Sequence, residues 1–415
     1  MSYDVKDINL AEQGALQIEW AEKEMGALLE VRKKFEKEKP LKGERIGMAL
    51  HITKETAALV RTLKAGGAEV AITGCNPLST QDDVAAALAK EGFDVYGKKG
   101  ESREEYYEYL NKVLDFKPTV TIDDGCDLVS EVHKNRTDLI ETIKVGTEET
   151  TTGVIRLRAM AKDNALKYPV MLVNDNKTKH LMDNYYGTGQ STFDGIIRAT
   201  NLMIASKTVV VVGYGSCGKG CAMRAKGLGA NVIVTEVKPF CALQAVMDGF
   251  RVMPMEEAAS LGDLFITVTG DINVVDYHHM VKMKNNAIIC NSGHFDVEIN
   301  LKKLREKAKS SRQIRPFMKE YTLENGKCIN VLAEGRLVNL SAAEGHPSIV
   351  MSLSFCGQAL AVEYGVKNKL PAGAHMLPEE IDVNIAKLQL SAMKINIDKL
   401  TSEQEKYLSS WEMGT

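Results

Sequence analysis

The sequence predicts an α/β protein with two doubly wound parallel-sheet domains, a hinge between them and a small C-terminal helical segment. Three observations predict this class. Short β-branched runs alternate with helix-like stretches from about residue 43, a second series of apolar runs starts at residue 208, and the pattern turns helical after residue 346. Strands that alternate with helices are typical of a parallel sheet with crossover helices. The length of 415 residues allows two or three domains.

The first domain is predicted from five strand-like runs that lie between segments of helical periodicity. They are Arg45 to Leu50, Glu69 to Thr73, Phe93 to Tyr96, Thr119 to Ile122 and Pro169 to Val173. One open sheet can hold all of them.

The second domain, at about residues 190–345, is predicted from four runs that are apolar on consecutive residues. They are Thr208 to Val212, Asn231 to Thr235, Leu264 to Val268 and Ala287 to Cys290. Continuous apolar runs indicate strands that are covered on both faces, as in a parallel sheet between two layers of helices.

The remaining segments are a junction and a helical C-terminal part. The stretch Asn184 to Ser191 contains two glycines and is polar, so we expect a hinge there rather than a core element. We predict long helices over Ile349 to Tyr364 and Glu379 to Met393. The charged tail from Thr401 to Thr415 predicts a solvated helix or an intersubunit contact.

The composition disfavours nucleic-acid and membrane partners. Lys and Arg total 52 against 55 Asp and Glu, so the net charge of −3 gives no basic surface for a polyanion. Apolar runs are far shorter than the roughly 20 residues of a membrane span, and the acidic N-terminus lacks a signal segment. The eight Cys show no CxxC spacing, which argues against disulfides and a zinc knuckle. We therefore expect a cytoplasmic protein.

The sharpest local signal is a GxGxxG motif between an apolar run and a helix-like run. Gly213 suits a tight turn, Gly215 lets the backbone approach a pyrophosphate, and Gly218 allows close packing of helix on strand. Ser216 and Cys217 lie within the same motif. This placement predicts a Rossmann-like dinucleotide site, although glycine-rich turns also occur in other folds.

An acidic residue follows the next predicted strand. Glu236 stands 23 residues after Gly213, about where a carboxylate binds the ribose 2′-hydroxyl of NAD and repels the 2′-phosphate of NADP. We therefore predict NAD as the cofactor. Lys238 nearby leaves NADP as an alternative, and a tight turn with a helix-capping Glu236 is the structural alternative.

Ionisable residues are dense after the predicted strands of the first domain, where open α/β sheets bind ligands. They are His51, Thr53, Glu55, Asp123, Asp124, Asn174, Asp175, Glu148, Glu149, Thr150, Thr151 and Thr152. Lys179 and Asp183 stand four residues apart, so they can pair on one helical face. Each has a structural alternative: a hydrogen-bonding His51, a surface Lys179–Asp183 pair, or a helix N-cap at Thr150 to Thr152. The few, scattered histidines argue against a dedicated metal site.

Eight segments, in order along nearly the whole chain, resemble the S-adenosylhomocysteine hydrolase (adenosylhomocysteinase) family. They are residues 51–56 (HITKET), 75–82 (CNPLSTQD), 123–125 (DDG), 148–153 (EETTTG), 173–175 (VND), 291–296 (NSGHFD), 333–339 (AEGRLVN) and 345–347 (GHP). An ordered match of this extent is far more specific than GxGxxG alone.

The resemblance implies a substrate domain at residues 1–185 with a return segment at 346–375, an NAD domain at 190–345, and an oligomerisation segment at 376–415. It also implies a homotetramer, a nucleoside thioether substrate, and catalytic roles for His51, Asp124, Lys179 and Asp183. Substrate contacts are expected from Thr53, Glu55, Glu149, His294, Glu344, His346 and Met351. Cofactor contacts are expected from Thr150, Thr151, Thr152, Asn184, Gly213, Gly215, Ser216, Cys217, Gly218, Glu236, Thr269, Ser292, Gly293, His294, Asn339 and His346.

The chain departs from the family pattern at several positions. Thr188 replaces a Cys, Cys241 replaces an Asn, and Glu344 replaces a Met before Gly345. The chain ends at Thr415, without the longer tail that larger members use to cover a neighbour's NAD, and so resembles the short archaeal type. The departures near the cofactor put the tightness of NAD binding in question more than the reaction type.

The implied reaction is a hydrolysis in which NAD is used and regenerated. A C5′–S thioether is unactivated, but oxidation at C3′ acidifies the C4′ proton, so that homocysteine leaves by elimination and water then adds. Lys179, held by Asp183, is the predicted base for the 3′-hydroxyl, with a pKa lowered by burial and by the nicotinamide cation. Asp124 is the candidate for the C4′ proton, and His51 for the leaving thiolate or the water.

The sequence leaves open which of two purine bases the substrate carries. Methanogen relatives include enzymes for S-inosylhomocysteine, whose hypoxanthine has an N1–H donor where adenine has an acceptor. A carboxylate at Glu344 facing N1 would favour hypoxanthine, whereas Glu55 stands where the family accepts from adenine N6, and Glu344 can instead point to solvent. We lean toward the inosyl thioether.

Two other functions are alternatives to this interpretation. A simple NAD-dependent dehydrogenase of a hydroxy or amino acid also pairs two α/β domains, and it would produce NADH. An NAD-sensing regulator is the third reading, although a sensor needs no set of proton-transfer residues such as His51, Asp124, Lys179 and Asp183.

Overall fold

The structure, a computed structural model, describes residues 2–412 and contains two mostly parallel sheets of eight strands each in that range. The strands are β1 (Tyr3–Val5), β2 (Arg45–Ala49), β3 (Glu69–Thr73), β4 (Asp94–Gly97), β5 (Val120–Asp123), β6 (Val145–Glu148), β7 (Pro169–Met171), β8 (Thr208–Val212), β9 (Asn231–Thr235), β10 (Arg251–Val252), β11 (Leu264–Thr267), β12 (Ala287–Asn291), β13 (Ser310–Arg315), β14 (Met318–Thr322), β15 (Cys328–Leu332) and β16 (Gly373–His375). The predicted α/β class with two Rossmann-like sheets is confirmed.

Helices cover both sheets. They are α1 (Ala11–Glu24), α2 (Gly26–Glu38), α3 (Lys54–Ala65), α4 (Asp82–Lys90), α5 (Arg103–Asp115), α6 (Asp127–Asn135), α7 (Thr151–Lys162), α8 (Lys177–His180), α9 (Thr188–Thr200), α10 (Ser216–Gly227), α11 (Pro239–Met247), α12 (Met255–Ala258), α13 (Tyr277–Lys282), α14 (Leu301–Lys307), α15 (Val338–Ser341), α16 (Ser348–Lys367), α17 (Glu379–Ala392) and α18 (Ser402–Leu408).

The first sheet has the strand order β1-β4-β3-β2-β5-β6-β7-β16, and all its pairs are parallel. The direction of winding reverses between β2 and β5. Open α/β sheets bind ligands at the carboxyl ends of the strands that flank such a switch point. The residues that follow β2, β5 and β6 therefore share one crevice.

The second sheet has the order β10-β9-β8-β11-β12-β15-β14-β13, with an antiparallel edge at β13 and β14. Its switch point lies between β8 and β11. The glycine motif follows β8 directly, as predicted. Val209 to Val211 of β8 are fully buried, which explains the continuous apolar run.

The long helix predicted at Ile349 to Tyr364 is confirmed as α16. It returns to the first domain and packs against α2, α3 and β6. Among residues 2–412 it is the one helix long and apolar enough to cross a membrane, and 67% of that stretch is buried inside the protein. A helix that is apolar on all sides fits such a core position. The second predicted helix is observed as α17.

The stretch Asn184 to Ser191, predicted as a hinge rather than a core element, is helical and packed, and movement of the domains about it stays a prediction. Residues Asp183–Gly187 form a π-helical turn that continues into α9, and Gly187 and Gly189 are buried. A Cβ at Gly187 would lie 2.9 Å from His346 Nδ1, and one at Gly189 would lie 2.7 Å from the carbonyl oxygen of Gly220. These glycines permit close packing at this junction.

The tail predicted as a solvated helix or an intersubunit contact contains α18, whose residues are all exposed. This agrees with either alternative. The last part of the predicted tail, residues 413–415, lies outside the described residues.

Candidate active site

A cavity of about 1160 Å³ lies between the two sheets, at both switch points. It is lined by residues that follow β2, β5 and β6 of the first sheet and β8, β11 and β12 of the second. Every predicted site residue except Gly218 lines this cavity. The two folded halves thus bring residues from across the chain to one place.

Two histidines and a carboxylate meet on one wall of the cavity. His51 Nε2 lies 3.4 Å from Asp124 Oδ2, and His294 Nδ1 lies 3.5 Å from Asp124 Oδ1. His51 and Asp124 belong to the first domain, whereas His294 follows β12 of the second. This cluster can move protons between a carboxylate and an imidazole. Its ligand atoms lie within 4.8 Å of one another, and the absence of a metal site stays a prediction.

Hydrogen bonds on the far side of the ring orient His51. Ser79 Oγ donates its hydrogen to the carbonyl oxygen of Asn76 (3.0 Å) and so accepts from His51 Nδ1 (2.7 Å). This assignment leaves Nε2 free to accept a proton on the cavity side. Burial lowers the pKa of His51 to about 4, although Asp124 opposes the shift. The ring is therefore neutral at pH 7.

Lys179 forms the centre of a second, buried polar cluster. Its Nζ donates to Asp183 Oδ1 and to Asn184 Oδ1, both at 2.9 Å, and lies 3.7 Å from Glu149 Oε1. The side chains of Lys179 and Asp183 are 6% and 3% exposed, which excludes a surface ion pair. His346 Nδ1 approaches the same Asp183 oxygen at 3.3 Å.

The pKa of Lys179, predicted to be lowered by burial and by the nicotinamide cation, is raised by the surrounding protein groups, and its value beside that cation stays a prediction. Burial alone would lower this pKa, but the adjacent carboxylates of Asp183 and Glu149 outweigh it and raise the pKa above its usual value. For Asp183, burial would raise the pKa, but the positive charges of Lys179 and His346 outweigh burial and lower it. Lys179 is thus an ammonium until a further charge enters the site.

Glu149 is anchored by the core helix α16. Ser354 Oγ donates to Oε1 of Glu149, and Gln358 Nε2 donates to Oε2. Burial raises the pKa of Glu149 to about 7, while Lys179 opposes the shift. A carboxyl group with this pKa can hold or release a proton near neutral pH.

The glycine motif has the geometry that a pyrophosphate requires. Gly213 adopts φ +106°, which favours glycine, and a Cβ at Gly218 would lie 2.0 Å from the carbonyl oxygen of Gly213. Gly215 precedes α10 and faces open space. The helix N-terminus and the free space beside Gly215 together form an anion cradle. Gly218 acts in packing, which explains why it does not line the cavity.

Glu236 lies at the far end of this cradle. Its carboxylate accepts from the backbone N–H groups of Tyr214 (2.7 Å), Val237 (2.7 Å) and Lys238 (2.9 Å). These bonds fix the carboxylate at the end of β9 and leave a lone pair on Oε2 that can accept from a ribose hydroxyl. The carboxylate bonds to loop amides and does not cap a helix.

Polar side-chain groups that are available for further hydrogen bonds lie at the other end of the cradle. Asn339 Nδ2 donates to Ser191 Oγ (3.1 Å), while its Oδ1 is buried without a partner among the described residues. Thr150 stands at the N-cap position of α7, but its side chain makes no capping hydrogen bond. An amide and a ribose would supply partners for such atoms, so the residues present fit a dinucleotide.

The cavity continues past the clusters around Asp124 and Lys179 to Thr53, Glu55, Glu344 and Met351. Glu55 Oε1 accepts from Ser348 Oγ at 2.6 Å. Glu344 is half exposed and forms ion pairs with Lys54 (2.9 Å) and Arg198 (3.1 Å). The predicted Glu344 carboxylate therefore lines the cavity with a lysine beside it.

Sequence reasoning missed several residues that hold the predicted site side chains in place. They are Ser79, Ser354, Gln358 and Lys54. A signal was available for two of them, because Ser354 and Gln358 are polar residues four apart in the mostly apolar stretch of α16. For Ser79 and Lys54 the partners lie elsewhere in the chain, and no local pattern reveals them.

Two family models match the chain. The model described as S-adenosyl-L-homocysteine hydrolase matches residues 2–145, and that described as the NAD-binding domain of the same enzyme matches residues 184–345. The second match covers the glycine motif and Glu236.

Curated relatives match over the full length. The chain is 60% identical to S-inosyl-L-homocysteine hydrolase of Methanocaldococcus jannaschii and 58% identical to adenosylhomocysteinase of Sulfurisphaera tokodaii, with all of each chain covered. It is 57% identical to S-inosyl-L-homocysteine hydrolase of Methanosarcina mazei, covering 98% of this chain and 99% of that one. Relatives of both names are thus about equally similar.

Proposed function

The chain belongs to the S-adenosyl-L-homocysteine hydrolase family, and from this premise we propose that it hydrolyses S-inosyl-L-homocysteine or S-adenosyl-L-homocysteine to the nucleoside and L-homocysteine, with NAD as cofactor. The observation that carries the proposal is the single cavity that joins the dinucleotide cradle to the clusters around Lys179 and Asp124. This reaction returns homocysteine to the methyl cycle.

NAD is needed because the C5′–S bond has no electron sink of its own. When bound, NAD supplies a reversible two-electron oxidant for C3′ of the substrate ribose. The protein must then remove the 3′-hydroxyl proton, transfer the C4′ proton and protonate the leaving thiolate. Two separate clusters of titratable residues are available for these transfers.

We assign the 3′-hydroxyl proton to the cluster of Lys179, Asp183 and Glu149. Because Lys179 is an ammonium in the free protein, it must first lose a proton. That loss would be favoured by charge repulsion if the positive nicotinamide ring of bound NAD lay nearby. Glu149, 3.7 Å away with a pKa raised to about 7, is the nearby group that can accept the proton. Neutral Lys179 can then act as the base, and Asp183 orients it.

We assign the C4′ proton and the thiolate to the cluster of His51, Asp124 and His294. Asp124 lies between the two imidazoles and can take the C4′ proton. His51 Nε2, 3.4 Å from Asp124 Oδ2, can receive this proton and pass it to sulfur. A neutral ring with a low pKa suits this role, since it gives up its proton readily.

We also propose a homotetramer and a cytoplasmic location. Exposed apolar side chains on α11, such as Phe240 (88%) and Met247 (76%), together with Trp411 (93%) of the tail, support contact between subunits. All eight cysteines are unpaired, as is usual in a reducing compartment. The lack of nucleic-acid and membrane partners stays a prediction.

The test is incubation of the purified protein with each thioether and NAD, followed by detection of nucleoside and free thiol. We expect both products in equal amounts. A simple dehydrogenase would instead accumulate NADH and release no thiol, and that result would overturn the proposal.

A further inference from the structure

Glu148 is a buried carboxyl group to which the proposed reaction gives no role. It is the last residue of β6, has no exposed surface and does not line the cavity. From this position it can contact neither the substrate nor the cofactor. Any effect on the reaction must therefore pass through the residues that it binds.

One oxygen of Glu148 binds two loops at the edge of the cavity. Its Oε1 accepts from the backbone N–H of Gly125 (2.9 Å), in the turn after β5, and from that of Thr150 (3.0 Å), just before α7. Gly125 directly follows Asp124, and both Asp124 and Thr150 line the cavity. A single atom thus connects the loop of the candidate base for the C4′ proton to the loop of an expected cofactor contact.

The turn that carries Asp124 is also held from two other sides. Asp123 Oδ1 accepts from the backbone N–H of Asp124 at 2.9 Å. Gly125 has φ +106°, and a Cβ there would lie 2.3 Å from His294 Nε2 of the second domain. The position of the Asp124 carboxylate beside His294 therefore depends on the conformation of this turn.

The carboxyl group of Glu148 is neutral at pH 7. Burial, together with the carboxylates of Asp123 and Asp124, raises the pKa of Glu148 well above its usual value. Its Oε2 is buried without a partner among the described residues, which would be costly for a charged oxygen. A neutral amide of the same length can therefore take the place of this group.

We propose that Glu148 is a positioning residue, whose Oε1 holds Asp124 and Thr150 in place relative to each other through the backbone. This inference rests on the proposed function, in which Asp124 takes the C4′ proton. Glu148→Asp shortens the side chain by one methylene, so its carboxyl group cannot reach both amides unless a loop moves. Glu148→Gln retains an acceptor oxygen at full length. A displacement of about 1 Å near reacting groups can lower a rate by about a hundredfold.

The test follows one turnover of a thioether at saturating NAD in the wild type and in both variants. NADH formation reports the oxidation at C3′, and thiol release reports the removal of the C4′ proton that follows it. In Glu148→Asp we expect thiol release to slow by about tenfold or more and NADH formation to change by less than about threefold, so that NADH accumulates transiently. A loss of folded protein would instead lower both signals equally.

The dissociation constant of NAD is the second measurement, because Thr150 is the other residue that Glu148 holds. It should rise by about threefold or more in Glu148→Asp, and Glu148→Gln should match the wild type within about threefold in all three quantities. An unchanged ratio of thiol release to NADH formation in Glu148→Asp overturns the inference. So does an unchanged dissociation constant in that variant, or a Glu148→Gln variant that is equally impaired.

Glu44→Asp is the matched control. Glu44 is also a buried glutamate of the first sheet, but it precedes β2 at the opposite edge, where it accepts from Thr119 Oγ1 (2.7 Å) and pairs with Lys144 (2.6 Å). Its shortening can lower stability but should leave the ratio and the dissociation constant unchanged. A shift as large as that of Glu148→Asp would overturn the inference.

If Glu148→Asp does not fold, Gly153→Ala decides. A Cβ at Gly153 would lie 2.1 Å from the carboxyl carbon of Glu148, so the new methyl group must displace the carboxyl group. This variant should slow thiol release relative to NADH formation in the same way, and no change overturns the inference. If the wild type releases no thiol from either thioether, the proposed function itself fails, whereas the dissociation constant of NAD still tests the connection from Glu148 to Thr150.

Discussion

The carboxylates around Lys179 carry more negative charge than its single positive charge neutralises. Asp183 and Glu149 lie within 4 Å, and Asp124 also raises its pKa. The sequence predicts the Lys179–Asp183 pair from its spacing of four residues. It does not predict Glu149 as the third member, because that contact depends on how β6 and α8 are placed in space. Asp183, the predicted partner, contributes most to raising this pKa, and Glu149 adds to the effect.

Replacing Lys179 by Met should abolish reduction of bound NAD by substrate, by about a hundredfold or more in a single turnover, since no base then takes the 3′-hydroxyl proton. Formation of NADH in one turnover measures this directly. Lys177→Met is the control, because Lys177 is exposed and pairs with Glu379 outside the cavity. An unchanged rate in the Lys179 variant would show that this role is wrong.

Glu236 should set the preference for NAD over NADP. Its replacement by Ala removes the acceptor for the ribose hydroxyls and the charge that repels a 2′-phosphate, so we expect the preference to fall by about ten- to hundredfold. Dissociation constants for the two cofactors check this. Lys238→Ala should retain the preference. A wild type that binds both cofactors equally well would contradict the assignment.

His51 should make stability depend on pH in mildly acidic solution. Its pKa is about 4 when folded and 6.5 in the unfolded chain, so the unfolded state binds more protons between these values. Stability is therefore lost as the pH falls from 6.5 toward 4, by about 1 to 3 kcal/mol for this group. His51→Gln should lose less stability over that range in denaturant titrations. His278→Gln, an exposed control, should behave like the wild type, and identical curves for all three would refute the prediction.

Among the elements, the two with the clearest local signals form as predicted. The run Val209 to Val212 followed by the glycine motif gives β8 and α10, and the apolar stretch after Ser348 gives α16. The segment after Asn184 is the exception. Its glycines resemble a flexible linker in the sequence, but they serve packing against Gly220 and His346. Close approach of two distant segments leaves no local pattern, so sequence reasoning could not distinguish these uses of glycine.

Replacing a closely packed helical glycine by Ala should change the free energy of unfolding differently from replacing one that faces solvent. Gly189→Ala should lower the free energy of unfolding by about 1 to 3 kcal/mol, because the new methyl group overlaps the carbonyl oxygen of Gly220. Gly227→Ala in α10 meets no atom within 4 Å and should be neutral or stabilising by up to about 1 kcal/mol. Denaturant titration compares the two. Equal effects would show that Gly189 is not packed as described.

For the whole molecule, the order of elements made the two-sheet architecture predictable, and the switch points follow from the winding of each sheet. The residues after β2, β5 and β6 were predicted to meet for that reason. Contacts between the halves, such as His294 with Asp124 and Glu344 with Lys54, were not predictable from strand order. They depend on how the second domain is placed against the first, and they join side chains of both domains beside the cavity.

The central claim is that this protein uses NAD catalytically to hydrolyse a nucleoside thioether. The most direct measurement counts the homocysteine thiols released per NAD bound to the protein, with NADH monitored in the same reaction. We predict many thiols per NAD and no net NADH once the thioether is consumed. Accumulation of NADH in proportion to substrate, or the release of no thiol from either the inosyl or the adenosyl thioether, would contradict the account.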